Sequence, residues 1–389
     1  ATTIKIDKKL VNKIPSPNQS VTTILMTLPG VSNNNELSTQ YNVRGGNFDE
    51  NLVYVNGIEV YRPFLIRSGQ QEGLNFVNPN MVQNINFSAG GFQAKYGDRL
   101  SSVLDITYRK PDKFALAVDG SLLGGSVTVE DKLMDDKLSA LLGVRYRDNS
   151  LFVNSKQIET NFRPRFTDIQ SYFSYEHNEQ WTFNFLGTFS LNDYDYQPVT
   201  RRTRFGTIND PLELIVFYEG QEQDQFLTMF GALSAEYQVN EDLKLTANIS
   251  AYNTQEEEYF DIAATYNIGE VDTNIGSESF GEVSFAEGIG SQFNHARNDL
   301  DAFIGNVQIR GTYKNEESQL DFGIKYQQED IRDRIREYEV IDSLGFSIRP
   351  PNTGIINDQP YEPFTGPILP FQNIRTENNL TTNRIMGFV

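Results

Sequence analysis

The chain has no cysteine, only two histidines and a single tryptophan in its 389 residues. The lack of cysteine excludes a disulfide framework, a cysteine-ligated zinc site and a thiol nucleophile. No Gly-x-Ser-x-Gly or His-Glu-x-x-His motif is present, so a nucleophilic or metal-dependent catalytic site has no support in the sequence. We therefore predict that the chain is not an enzyme and that it holds no catalytic residue, metal or cofactor.

Two further shortages narrow the class of protein. No stretch of about 18 apolar residues occurs, so no membrane-spanning helix is predicted. Basic residues are outnumbered, with 33 Lys and Arg against 52 Asp and Glu. The resulting net charge of −19 argues against a nucleic-acid partner, which would require a basic face.

Aromatic residues, by contrast, are abundant, and the chain shows two compositional regimes. The 27 Phe and 19 Tyr suit β-strands and the aromatic girdles of a membrane barrel. Residues 1–110 contain short apolar runs broken by Gly, Pro and Asn, with a helix predicted at residues 21–28 and a hairpin at Asn56-Gly57. From residue 111 onward a period of two takes over, so we predict a small α+β domain (1–110) followed by antiparallel β-structure (111–389).

The alternation after residue 111 predicts strands with one apolar and one polar face. It is clearest at residues 138–146, 181–191, 243–251 and 320–326, where every second residue is apolar. A soluble β-sandwich produces the same alternation as a transmembrane β-barrel. The pattern of the strands by itself leaves both architectures open.

The lengths of the connections favour the barrel. Short polar turns alternate with long connections, as the periplasmic turns and extracellular loops of outer-membrane barrels do. The short turns are predicted at residues 134–136, 177–179, 240–242 and 314–317. The long connections are predicted at residues 148–165, 192–225, 254–299 and 327–383.

The number of strands indicates only part of a barrel. The pattern gives nine or ten strands, whereas a barrel that encloses a plug has about 22. We therefore expect the N-terminal part of an incomplete transmembrane β-barrel. Residues 386–389 are expected to begin a further strand.

An ordered set of motifs in residues 1–110 resembles the plug domain of TonB-dependent outer-membrane receptors. The family's order is an LPGV element, an RG element, a hairpin, a strand leading to YG, and a closing strand. The matching residues are Leu28-Pro29-Gly30-Val31, Val43-Arg44-Gly45-Gly46, Asn56-Gly57 with Tyr61-Arg62-Pro63, 84–87, Tyr96-Gly97 and 103–106. The sequence departs from the family at residues 98–102, which replace the usual Gly-rich stretch, and at Asn56, where Asp is common.

The resemblance implies a plug-gated receptor in the bacterial outer membrane that takes up a nutrient. It also implies a TonB-type energy-coupling protein as a partner, although no TonB box is identified in residues 1–10. The lipid bilayer and lipopolysaccharide are further expected partners. The motifs look most like those of Bacteroidetes-type receptors, which often pair with a surface lipoprotein.

Four plug residues are candidates for a latch to the barrel wall. Gly45 and Gly46 permit positive φ or close backbone approach and would hold Arg44 at a fixed place. Arg44, with Arg99 as a second candidate, would then bind carboxylates of the wall in a contact that a signal could break. The alternative is a static ion pair that has no switching role.

Two further groups of residues are candidates for loop functions. Arg62, Phe64 and Arg67 lie in a predicted outward loop of the plug and are candidate ligand contacts, with a solvated basic loop as the alternative. His295 and Arg297 lie near the end of a predicted acidic loop. We expect them to pin that loop to the barrel rim by hydrogen bonds, because no nucleophile or orienting acid accompanies them.

Two functions from different classes remain open at this level. The first is TonB-dependent import of a nutrient, gated by the plug. The second is a non-transporting barrel subunit of a larger outer-membrane assembly or export complex, with loops that dock partner proteins. A Pro-rich stretch at residues 350–370 favours a docking role for the last long loop.

Overall fold

The computed structural model describes residues 3–6, 21–33, 40–61, 74–97, 99–151, 161–342 and 370–389, except for the side chains of residues 284–287. These residues form a small N-terminal domain, called the plug below, and one large antiparallel sheet, called the wall. Within the described ranges, no helix has the length and apolar content needed to cross a membrane.

The plug is an α+β domain built on a five-stranded sheet of order β1-β6-β7-β4-β5. Its helix α1 ends earlier than predicted, because the backbone switches to tighter i to i−3 hydrogen bonds in the two residues before Pro29. The elements are β1 Thr3–Ile6, α1 Val21–Leu25, β2 Val31–Ser32, β3 Asn42–Val43, β4 Asn51–Val55, β5 Ile58–Glu59, β6 Val82–Ala89 and β7 Ser102–Tyr108.

The predicted hairpin at Asn56-Gly57 is confirmed and joins β4 to β5. Both residues have positive φ, 52° and 73°, which is the backbone of a type I′ turn. The Asn56 side chain accepts a hydrogen bond from the backbone N–H of Tyr108, at 2.8 Å. This hydrogen bond ties the turn to β7, which pairs in parallel with β4.

The wall contains ten strands in sequential neighbour order, with one extra strand, β13, paired to β14. The eleven described strands are one more than the upper predicted count of ten, and the extra one is β13. The strands are β8 Ala115–Ser121, β9 Gly124–Leu133, β10 Leu138–Asp148, β11 Asn161–Glu176, β12 Trp181–Gln197, β13 Arg201–Gly206, β14 Pro211–Gln238, β15 Leu243–Val271, β16 Val283–Lys314, β17 Gln319–Asp342 and β18 Pro370–Phe388.

The two faces of the wall differ as the alternation predicted. The apolar positions face outward and are exposed, as at Leu142, Phe189 and Val307. The alternate positions face the plug, and Leu141 and Leu186 among them are buried in one hydrophobic cluster with the plug core. Aromatic side chains such as Trp181, stacked on Tyr237 at 4.5 Å, lie near the short turns and form part of a girdle.

The long connections were predicted wrongly, because most of their described residues belong to strands. Strands β14, β15, β16 and β17 contain 28, 29, 32 and 24 residues. A membrane strand needs only about 9–11 residues, so these strands continue far beyond the apolar band. We call the part of β14–β18 beyond that band the extension. Polar residues occupy both of its faces, which removes the alternation although backbone pairing continues.

The C-terminal residues also differ from the prediction. Residues 386–388 end β18 and pair with residues 323–325 of β17, so they do not begin a strand. Strand β18 starts at Pro370, inside the stretch predicted as a loop.

Candidate functional site

The wall holds the plug through a buried cluster, which we call the latch cluster: Arg145 on β10, Asp168 and Gln170 on β11, and the plug residue Tyr108. Arg145 and Asp168 are directly opposite each other on neighbouring strands, with Nε 2.8 Å from Oδ1. The guanidinium also donates to plug carbonyls, to O of Val77 at 3.0 Å and to O of Asn75 at 2.8 Å. Each of the three guanidinium nitrogens therefore has an acceptor, so the buried charge is well satisfied and the latch cluster fixes this segment of the plug.

Gln170 extends the latch cluster to the central sheet of the plug. Its amide donates to the carbonyl of Phe76 and to Oδ2 of Asp168. Its Oε1 accepts from the hydroxyl of Tyr108, the last residue of β7, at 2.7 Å. Burial raises the pKa of Tyr108, so its hydroxyl remains a donor.

Gly143 lets the plug approach this part of the wall closely. A Cβ on Gly143 would lie 2.4 Å from Nδ2 of Asn78 in the plug. Only glycine at residue 143 leaves room for the Asn78 side chain.

A second cluster, which we call the clip, joins the plug to β16 and β17: Lys325, Glu59, Tyr61, Asn306 and Gln327. Nζ of Lys325 donates to Oε2 of Glu59 at 2.6 Å and to the Tyr61 hydroxyl at 2.8 Å. The Tyr61 hydroxyl also lies 3.0 Å from Oδ1 of Asn306 and 2.9 Å from Oε1 of Gln327. These bonds are all between side chains, unlike the bonds that the latch cluster makes to the plug backbone.

The electrostatics of the clip keep Tyr61 neutral. Burial raises the pKa of the Tyr61 hydroxyl, and the charge of Glu59 raises it further. The Lys325 and Glu59 side chains are only 15% and 17% exposed, so their charges attract each other in a partly desolvated space. The plug thus contacts opposite parts of the wall, β10–β11 and β16–β17, which requires the sheet to curve around it.

The predicted latch residues of the plug occupy a different place. Arg44 has a φ of 51° and is exposed, and its backbone N–H donates to O of Gly30 at 2.8 Å. No ion pair involves Arg44 in the described part of the chain. Gly45 has a φ of 84°, which favours glycine, and a Cβ on Gly46 would lie only 1.7 Å from Oγ of Ser101, so Gly46 is required by the neighbouring side chain. Arg99 is exposed.

Three of the predicted loop residues, Arg62, Phe64 and Arg67, lie outside the described residues. The Pro-rich stretch at 350–370 also lies outside them, apart from Pro370.

His295 and Arg297 were predicted in a loop, but they lie within β16. They are there because β16 keeps its pairing with β15 and β17 through the polar stretch. His295 Nδ1 and Arg297 Nη2 each lie 2.5 Å from the Asp261 carboxylate on β15. The His295 ring stacks on Tyr338 of β17 at 4.5 Å, so the contacts join three strands of the extension.

The charged groups of the extension shift one another's titration. Partial burial would raise the pKa of Asp261, but hydrogen bonds from Arg297 and His295 outweigh it and lower the pKa below the usual value. A hydrogen bond to Asp299, together with burial, raises the pKa of Tyr259 to about 12. These interactions stabilise the ionised carboxylates and a neutral tyrosine in the paired strands.

Comparison with known proteins agrees with this arrangement. Residues 1–102 match the family described as TonB-dependent Receptor Plug Domain. A search of the curated proteins gave no match. The chain is similar in structure to FpvA of P. aeruginosa, solved with heterologous pyoverdines and iron, with a TM-score of 0.53, 11% identity, and coverage of 99% of this chain and 49% of FpvA.

A second solved structure gives the same result. BauA of Acinetobacter baumannii, described as the ferric preacinetobactin receptor, has a TM-score of 0.55 and 13% identity, with coverage of 98% of this chain and 54% of BauA. This chain therefore spans about half the length of the solved structures that it matches.

These matches define the domain and the fold. Residues 1–102 form a plug domain of the TonB-dependent receptor type, and the wall that follows has the fold of the two solved structures. The protein is located in the bacterial outer membrane, where this architecture belongs.

The sequence did not lead us to the latch cluster or to the clip. One signal was available: in the alternating segment 138–146, Arg145 occupies a position of the inward set, as Leu141 does. A charged residue on the inward face of a barrel strand requires a partner inside the barrel. The partners Asp168 and Glu59 are 23 and 266 residues from Arg145 and Lys325, so no local spacing identifies them.

Proposed function

We propose that the whole protein imports a nutrient across the outer membrane, with the plug as its gate and a TonB-type protein as its source of energy. The observation that carries the proposal is the seating of the plug within the curved wall. It is held there by the buried latch cluster on one side and by the clip on the other. In the whole barrel, a plug held in this way would block the lumen until it moves, which is the requirement of a gated importer.

The extension of the wall would bind a solute from outside. Strands β14–β17 continue well past the apolar band as a paired extension on the opposite side from the short turns. A solute would bind the inner face of the extension and the upper surface of the plug, and the periplasmic partner would then displace the plug. In this scheme residues 1–110 form the gate and residues 111–389 form the first part of the barrel.

The finer assignments are part of the same proposal. Arg44, Gly45, Gly46 and Arg99 remain candidates for a latch toward the remaining part of the barrel. Arg62, Phe64 and Arg67 remain candidate ligand contacts. The Bacteroidetes-like motifs support a surface lipoprotein as partner, and the apolar outer face of the wall would contact the lipid bilayer and lipopolysaccharide.

The alternative, a non-transporting subunit of a larger assembly, is not favoured. The solved structures with the same plug-and-wall arrangement include FpvA bound to pyoverdine and the receptor BauA. No feature of the described residues distinguishes an assembly subunit from them.

Import can be tested with the full-length protein in its native host. Small molecules that co-purify with the receptor would be identified by mass spectrometry, and uptake of the identified compound would then be measured. We expect uptake to fall to background when the receptor or the energy-coupling protein is deleted, and when the proton gradient is dissipated. Uptake that does not depend on the coupling protein would contradict the proposal. Deletion of residues 358–370 tests the alternative, which predicts loss of co-purifying proteins with uptake intact.

A further inference from the structure

Strand β13 lies outside the sequential order of the wall and forms an edge at the tip of the extension. Strand β12 ends just before Pro198, whereas β14 continues beyond it. Strand β13 then pairs with the far end of β14, from Arg201↔Val216 to Gly206↔Pro211. None of the described strands pairs with its other side, and all six of its residues are exposed.

The backbone of β13 presents hydrogen-bonding groups at this edge. Hydrogen-bonded and non-hydrogen-bonded pairs alternate along an antiparallel ladder. The pair Gly206↔Pro211 is of the second kind, because Pro211 has no N–H and the N–H of Thr207 is already bonded across the turn. The N–H and C=O groups of Arg202 and Arg204 therefore point away from β14. Such groups are a template on which an extended segment adds a further strand.

The side chains along this edge are basic. Arg202 and Arg204 share the carboxylate of Glu213, with N–O distances of 3.3 and 2.6 Å. Arg201 takes part in no ion pair within the described part of the chain. One carboxylate against three guanidiniums leaves the edge with an excess of positive charge, in a chain whose net charge is −19.

These charges decide which kind of segment can pair with β13. Two copies of β13 side by side would bring arginines against arginines, and like charges opposite each other destabilise a strand pair. An acidic segment would bring carboxylates there instead, which stabilises the pair. Next to the edge, Phe205 and Ile208 are 47% and 94% exposed, so a partner also meets apolar surface.

We propose that β13 is a docking edge for an extended, acidic segment of a protein at the cell surface, which adds to the sheet as a further strand. Backbone hydrogen bonds to Arg202 and Arg204 supply the pairing, and the guanidiniums of the edge select the acidic partner. The inference rests on the proposed function in one respect, namely that the tip of the extension faces the outside of the cell. It does not require import.

The proposal can be tested with the full-length receptor in lipid nanodiscs. Asn209→Cys places a thiol in the exposed turn beside β13, and the sequence described here contains no other cysteine. The probe is a peptide of about eight residues, the length of a short strand, with alternating Glu and Thr and a terminal cysteine on a flexible linker. Disulfide exchange with the turn raises its local concentration, so weak pairing becomes measurable.

The matched peptide carries Lys in place of Glu. We expect the equilibrium constant for linkage to be about tenfold larger for the acidic peptide, because each cross-strand charge pair contributes a few tenths of a kcal/mol or more. The difference should shrink as salt is added.

Hydrogen exchange resolved to single residues distinguishes a paired strand from a loose electrostatic contact. We expect the amides of Arg202 and Arg204 to exchange about tenfold more slowly when the acidic peptide is linked, because they become hydrogen-bonded. The amides of Thr203 and Phe205 already bond β14 and should change less. An acidic peptide that is N-methylated at every amide should give no slowing, because it cannot pair as a strand.

A charge variant tests the selectivity of the edge. Arg201→Glu reverses one charge and leaves the pairs with Glu213 intact, so it should weaken linkage of the acidic peptide about threefold. Arg375→Glu is the matched control, since Arg375 is an exposed residue of β18 that also has no ion pair among the described residues.

Several outcomes would overturn the inference. They are equal linkage of the acidic and basic peptides, no slowing at Arg202 and Arg204, and an Arg201→Glu variant that behaves like Arg375→Glu. Slowing of the same amides in the receptor alone, when its concentration is raised, would assign the edge to a second copy. The same slowing by lipopolysaccharide alone would assign it to a lipid phosphate. The uptake experiment uses no peptide, so it decides independently whether the protein imports.

Discussion

Strand β16 passes through two environments, and the comparison between them explains much of this protein. In residues 303–313 the outward side chains, such as Phe303, Val307 and Ile309, are apolar and exposed, and the inward ones face the plug. In residues 295–301 the outward set is His295, Arg297, Asp299 and Asp301, and neither face is apolar throughout. The backbone pairing with β15 nevertheless runs through both halves, and the pairing with β17 is interrupted only at residues 297–298.

The comparison shows that backbone pairing between strands does not require alternating apolar and polar side chains. At membrane level, side chains must match lipid on one face and the plug on the other, so alternation is enforced. Above the membrane, water accepts polar groups on either face, and the strands are held by backbone bonds and cross-strand polar pairs. Charge pairs should therefore contribute much more to the free energy of unfolding where the wall faces the plug than in the extension.

The largest expected effect is at Asp168 on β11, where the wall meets the plug. Asp168→Ala leaves the Arg145 guanidinium buried without its partner, which should cost about 3–5 kcal/mol of unfolding free energy. Asp299→Ala removes the exposed pair with Arg334 in the extension and should cost about 0–1 kcal/mol. Denaturant unfolding of the full-length receptor in lipid vesicles measures both. Equal losses of unfolding free energy would show that the plug-facing wall and the extension do not differ in dielectric environment.

The next effect concerns the outward face. Val307→Arg places a charge in the apolar band and should cost about 2–4 kcal/mol at mid-depth. Thr265→Arg, on the exposed outward face of the extension, should change stability by no more than about 0.5 kcal/mol. The same vesicle unfolding assay applies. A harmless Val307→Arg would mean that this face is not in contact with lipid.

A smaller effect is expected where the plug touches the wall. Gly143→Ala puts a methyl group 2.4 Å from Nδ2 of Asn78 and should cost about 1–3 kcal/mol. Gly231→Ala is the control, since nothing lies within 4 Å of its added Cβ. Hydrogen exchange of plug residues 74–80 would report the displacement. Equal effects of the two alanines on stability and exchange would mean that residue 143 does not closely approach Asn78.

The smallest effect is a pH dependence confined to the extension. The pKa of Asp261 is lowered in the folded state, so its stabilisation is present above the unfolded value of about 3.9 and is lost as the pH falls through the folded value. Amide exchange around Asp261 in β15 and β16, corrected for intrinsic rates, should therefore accelerate between pH 5 and pH 3, unlike exchange in residues 303–313. Asp261→Asn should abolish the difference. Acceleration that persists in Asp261→Asn would assign it to other carboxylates.

Local rules were sufficient for part of the fold. Asn56-Gly57 between two β-branched runs gave the hairpin, because few residues other than Asn and Gly adopt positive φ at low cost. The alternation at 138–146 and 181–191 gave strands with the correct outward faces, because lipid leaves no choice at those positions. The motif order in residues 1–110 gave the plug.

Beyond the membrane, strands need not alternate apolar and polar residues. Residues 254–299 lack that alternation and were predicted as a loop for that reason. A strand with polar residues on both faces has no period to detect, and only pairing with its neighbours reveals it. His295 and Arg297 were predicted to pin a loop by hydrogen bonds, but they lie in β16 and join paired strands.

The sequence by itself thus determined the plug, the alternating strands and the short turns, since each depends on residues close together in the chain. The tertiary structure alone decided where the plug is held. Arg145 meets the carbonyls of residues 75 and 77, and Lys325 meets Glu59 across 266 positions, only when the sheet curves around the domain. Contacts of that kind depend on the position of whole elements in space, which neither composition nor periodicity records.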